Sequence, residues 1–137
     1  MKSISQKYYI VRCLIITLAL WSGQMWLQAA DGRQSGDPRA KITFDLEPLN
    51  NQGLYGPPDG LRALSYEFCI PADPKLKAQV QAIDPTLKVL SGSKGRIKCA
   101  PNEYLCLGHT HQTEFRVVLL KLASLPYVQR INQCFFE

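Results

Sequence analysis

The chain has 137 residues, with 16 Lys and Arg against 11 Asp and Glu, and five cysteines. That length holds one small domain plus an appendage, which excludes a multidomain enzyme, a long solenoid and a polytopic membrane protein. A hydrophobic content of 46% with 20% charged residues is that of a globular chain rather than a disordered one.

Lys2, Lys7 and Arg12 precede an uncharged apolar run, Cys13 to Trp21, and small residues follow at Ala29-Ala30. A basic flank, an apolar stretch and small residues in that order predict a signal peptide over residues 1–30, with the mature chain starting near Asp31. The rival is a retained anchor, because Gln28 or Leu27 occupies the position three residues before the cut, where the peptidase prefers a small residue. Without those thirty residues, 13 basic side chains face 11 acidic ones, a net charge of +2. The basic isoelectric point is then mostly the leader's, and a nucleic-acid surface loses its support. Membrane contact is expected only through the N-terminal segment, if it is uncleaved.

Residues 31–60 contain nine Gly and Pro, a density that predicts a tether. Within it, Lys41 to Leu46 alternates apolar and polar residues. That pattern fits equally a strand packed on the domain edge or a tether with a few apolar residues.

The domain is expected over 61–137. Leu64, Tyr66, Phe68 and Ile70 alternate with Ser65, Glu67 and Cys69, a strand with one buried face. Asp73-Pro74 predicts a helix start, with Leu76, Val80 and Ile83 on one face and Asp84-Pro85 as the stop. Leu87 to Leu90 is a short strand, Ser91 to Gly95 a loop, and Glu103 to His109 a further strand. Thr110 or Thr113 is the expected cap of a second helix carrying Phe115, Val118, Leu119 and Leu122 on one face. Val128 to Phe136 is the last strand. The order βαββαβ predicts an α+β, ferredoxin-like sandwich: a four-stranded antiparallel sheet with two helices on one face. The other face is expected to be free and to carry Ser65, Glu67, Cys69, Tyr104 and Cys106.

Four cysteines follow the leader, and an even number in an oxidising compartment predicts bridging, with three pairings possible. The spatial order 4-1-3-2 puts the end of the first strand, Cys69, beside the start of the third, just after Cys99. Cys106 and Cys134 lie two strands apart, roughly 10 Å, which is beyond the reach of a bridge. The expectation is a Cys69–Cys99 disulfide, with Cys106 and Cys134 as small packed residues.

His109 and His111 are the weak candidates for a metal, but their spacing matches no closed-site pattern, and no cofactor is expected. Ser91 to Arg96 with Lys98 has the makings of an anion cradle. It lacks the Gly-Lys-Ser/Thr ending and reads better as a solvated hairpin loop.

The stretches Ala63-Leu64-Ser65-Tyr66-Glu67-Phe68-Cys69-Ile70-Pro71-Ala72 and Leu122-Ala123-Ser124-Leu125-Pro126-Tyr127-Val128-Gln129-Arg130-Ile131 resemble a family of small exported cyanobacterial proteins of uncharacterised activity. The resemblance covers about residues 60–137 and implies a periplasmic or thylakoid-lumen location. A helix ending Leu-x-x-Leu-Pro-x-Val before the last strand also resembles the subtilisin pro-peptide (inhibitor I9) type of domain. That resemblance implies a sheet that packs on a protease, although no protease follows here and little tail remains.

The expected function is that of an exported, non-enzymatic binding or accessory domain. It would meet a protein partner through a free sheet face, with Glu67 and Tyr104 as binding residues, or through a sheet edge. The alternatives are a stand-alone protease inhibitor or chaperone-like domain, and a metal-binding or Cys/His enzyme.

Overall fold

A computed structural model describes residues 36–135. The leader or anchor, the cut near Asp31 and the expected end of the last strand at Phe136 lie outside them. No helix among the described residues is long and apolar enough to cross a membrane.

The elements in chain order are a short 3-10 helix (Pro38–Lys41), β1 (Leu54–Tyr55), β2 (Arg62–Ala63), β3 (Ser65–Pro71), α1 (Pro74–Ile83), β4 (Lys88–Ser91), β5 (Glu103–His109), α2 (Phe115–Ser124) and β6 (Asn132–Cys134). β1 and β2 form a small hairpin. The other four strands form one antiparallel sheet in the order β4-β5-β3-β6. The protein is therefore α+β, with two helices and a four-stranded antiparallel sheet.

α1 starts where its sequence says. The Asp73 carboxylate accepts a hydrogen bond from the Lys75 amide at 2.7 Å, and Pro74 occupies a position whose N–H would have no partner. Both helices lie on the Tyr66, Phe68 and Ile70 side of β3. Val80 of α1 and Phe115, Leu119, Leu122 and Ala123 of α2 join these residues in one buried cluster. Burial of that many large apolar side chains is the main stabilising term of the fold.

α2 is not capped by Thr110 or Thr113. Its N-cap is Glu114, at φ +56° and without a side-chain bond. Thr110 is used elsewhere: its hydroxyl donates to the Gly53 carbonyl at 2.5 Å and accepts from the Leu64 amide at 3.0 Å. Those bonds fasten the segment before the sheet to the end of β5. Gly53 sits at φ +73° with the Thr110 carbonyl where a Cβ would go, so a side chain there has no room.

The expected tether is, from residue 36 onward, part of the fold. Leu49 is buried, and Ile42, Phe44, Leu46 and Tyr55 pack against the main cluster. Arg116 of α2 donates to the carbonyls of Leu46 and Leu49 at 3.0 and 2.8 Å. Glycine and proline here shape a chain that follows the surface, and its polar backbone groups find partners on α2 and at Ile131, just before β6.

The same segment shortens the last strand. Ile131 donates its amide to Lys41 and accepts from Thr43, in a parallel bridge between Ile42 and Ile131. Ile131 is therefore tied to the segment, and β6 pairs with β3 only from Asn132 to Cys134.

Candidate functional site

The register between β3 and β5 decides which residues face outward. Phe68 lies opposite Cys106 and Ile70 opposite Tyr104, whereas Glu67 lies opposite Leu107 and Cys69 opposite Leu105. Directly opposed residues share a face. Tyr104 and Cys106 are thus on the helix side, Cys106 fully buried and Tyr104 packed against the main cluster. This corrects their expected place on a free face. The physical reason is that β5 is apolar on both sides, so alternation alone does not choose between Leu105 with Leu107 and Tyr104 with Cys106.

The second face is not free either. Loop residues 92–100, between β4 and β5, fold over it. Ile97, Cys99 and Leu105 form a second, smaller buried cluster, with Cys69 and Leu107 packed against it. Cys69 and Cys99 are disulfide-bonded, with Cα atoms 5.5 Å apart, which ties the loop to β3. Gly95, at φ +60°, lies so close to the sheet that an added Cβ would sit 2.7 Å from both a Glu67 carboxylate oxygen and a Leu105 methyl.

Glu67 is therefore only 2% exposed, and it accepts from the Arg96 amide at 3.3 Å. The candidate binding pair is split by the fold. Glu67 is sealed under a loop on one face, and Tyr104, half-buried, packs against the core on the other.

His109 lies opposite Ser65, and Ser65 lies opposite Cys134, so these three share a row on the second face. The His109 Nδ1 is buried without a hydrogen-bond partner among the described residues. His111 is exposed and lines a different concavity with Asn51, Gln52, Gln112 and Thr113. Among the described residues the grouped metal-type donors are Cys69, Cys99 and Glu103, and the two sulfurs are already bonded to each other.

Cys106 and Cys134 are free, both buried and on opposite faces. Burial pushes the Cys106 thiol up to about 12. Burial and the neighbouring Glu67 carboxylate raise that of Cys134. Both are protonated at neutral pH, the inert form for nucleophilic chemistry. A further buried polar group lies at the end of α1: the Tyr66 hydroxyl donates to Asp84, which also accepts from the Thr86 amide at 2.9 Å and its hydroxyl at 2.7 Å. Asp84 and Tyr66 are fully buried, so this is an internal tie rather than a site open to substrate.

One surface went unremarked in the sequence, and a second was expected only as a sheet edge. One is a cavity of about 160 Å³ lined by Cys69, Ile97, Lys98, Glu103, Gln129 and Arg130, where the disulfide meets the surface. Lys98 holds φ +64° there, and Arg130 donates to the Ile97 carbonyl at 3.0 Å. The other is the outer edge of β4. That strand ends the sheet, and Leu90 is 41% exposed. The apolar run Leu87 to Leu90 was legible as a strand, but its edge position follows only from the strand order.

No family model, curated protein or solved structure matches this chain.

Proposed function

We propose that this is an exported, non-enzymatic binding or accessory domain that takes a protein partner by strand addition to the open edge of β4. The observation that carries the reading is the edge itself: among the described residues β4 has a strand on one side only, and Leu90 presents 41% of its surface beside it. An unpaired edge offers backbone donors and acceptors to an extended segment, and an exposed leucine gives that segment an apolar contact. At the opposite end of the sheet, residues 41–43 bridge Ile131 immediately before β6.

A ferredoxin-like sandwich is the architecture this reading assumes. The order β4-β5-β3-β6, with both helices on the Phe68 face, supports it. Export, to a periplasm or thylakoid lumen, is supported by the basic-apolar leader pattern and by the disulfide, which persists in oxidising compartments. The inhibitor reading of the pro-peptide type needs a sheet face that can lie on a protease, and here a loop occupies that face. The Cys/His reading needs an activated thiol, and both free thiols are raised instead.

The test is capture from the native exported fraction by wild type, by Leu90→Lys and by His109→Ala/His111→Ala. Leu90→Lys is expected to lose the captured protein and the histidine double variant to keep it. Retention by Leu90→Lys with loss in the double variant would replace the edge reading with one centred on the histidines.

A further inference from the structure

We propose that the Cys69–Cys99 disulfide is the catch of a redox-operated cover, and that a dithiol donor opens loop 92–100 to uncover the second face of the sheet. The cover is a separate structural layer. Ile97 and Cys99 bury themselves against Leu105, Leu107 and Cys69, apart from the main cluster that joins the helices to the Phe68 face. Opening it therefore leaves the larger core intact.

The closed state carries a cost that the catch offsets. Closure seals the Glu67 carboxylate at 2% exposure, where it accepts from the Arg96 amide at 3.3 Å and from the Cys134 thiol. Holding a carboxylate out of water costs free energy that its hydrogen bonds only partly return. Closure also holds Lys98 at φ +64°, a conformation that favours glycine. Release of the loop relieves both.

The catch is reachable from one side. Cys69 is half-buried and lines the 160 Å³ surface cavity, whereas Cys99 is 3% exposed. Lys98 and Arg130 line the same cavity, and their two positive charges outnumber the Glu103 carboxylate that also lines it, so the balance favours an incoming thiolate. The donor thiolate attacks the Cys69 sulfur, forming a mixed disulfide as the Cys69–Cys99 bond breaks and Cys99 leaves as a thiolate. The donor's second thiol then attacks its own sulfur in that mixed disulfide and releases Cys69. The donor ends as a disulfide, and its two protons end on Cys69 and Cys99.

Opening would join Leu105, Leu107 and Ile97 to the already exposed Leu90, since Leu90 lies opposite Leu105 on that same face. The device is independent of the edge reading, because it is tested on the isolated full chain with no partner present.

Amide exchange and binding of an apolar dye are measured on the oxidised chain, on the chain reduced with dithiothreitol, and on Cys69→Ser/Cys99→Ser. The reduced chain and the double variant are both expected to exchange residues 92–100 at least tenfold faster and to bind several-fold more dye. β3 and α2 keep their protection, and reoxidation reverses the change in the wild type. Unchanged exchange over 92–100 would mean that the loop stays shut without the catch. Simultaneous loss of protection in α2 would mean that the disulfide staples the whole domain. Either result overturns the proposal.

Discussion

On one side of the sheet, Tyr66, Phe68 and Ile70 lie under two helices in a cluster that also takes in Leu49 and Val128 from flanking segments. On the other side, Glu67, Leu105 and Leu107 lie under a single loop, and the buried cluster there is Ile97, Cys99 and Leu105. The first side is closed by apolar area contributed from many places in the chain. The second has too little such area and is closed by a covalent bond instead. A small domain that cannot cover both sheet faces with helices can thus cover one of them with a loop and a disulfide. The middle of neither face is therefore open, and among the described residues Leu90, on the outer strand β4, is the large apolar side chain that the sheet leaves exposed.

The largest expected effect lies on the helix side. Phe68→Ala removes a fully buried ring and should cost about 3–5 kcal/mol in chemical denaturation. Leu105→Ala, at 2% exposure under the loop, should cost about 2 kcal/mol, the low end for a leucine, because a loop collapses onto a void more readily than a helix does. Equal costs would erase the distinction between the two sides. Next is the bridge itself, which closes a separation of 30 residues. Cys69→Ala/Cys99→Ala should lower stability by about 3–4 kcal/mol in the chain-entropy model, leaving the helix-side core folded.

Gly95→Ala sharpens the comparison with a smaller change. It puts a methyl against Glu67 and Leu105 at φ +60°, and about 1–3 kcal/mol is expected. Faster amide exchange should be confined to residues 92–100, and a change spreading into α1 would contradict the separation of layers.

The smallest effect is a pH slope on the helix side. Burial, followed by the Asp84 carboxylate it donates to, raises the Tyr66 hydroxyl above its ordinary value near 10. The unfolded phenol loses its proton above about pH 10 while the folded one keeps it. Stability from this group is therefore complete below that pH and falls by about 1.4 kcal/mol per unit above it. Tyr66→Phe should flatten that part of the stability–pH curve.

Several of these features were legible in the residues. The alternation from Leu64 to Ile70 gave β3 its buried side, and Asp73-Pro74 marked the start of α1, because both signals are local. The Cys69–Cys99 bond was legible once a strand order was assumed, because that order brings β3 and the approach to β5 together. The sidedness of β5 was not, because Tyr104, Leu105, Cys106 and Leu107 are all apolar and suit either face. Nor was the packing of residues 36–60. Its ties are carbonyl groups meeting Arg116 and Thr110 from 57 to 70 positions away, and nothing in a local window records such a contact. The failure at Glu67 has the same origin: a charged residue on an alternating strand reads as exposed until the loop that covers it is known.

The central claim is that the second face is closed in the oxidised protein, and carboxylate labelling with a carbodiimide and an amine reads it at Glu67. Closure predicts that Glu67 labels far more slowly than the exposed Glu47 and Glu114 while the disulfide is intact. Labelling of Glu67 as fast as Glu47 and Glu114 in the intact oxidised chain would contradict the account.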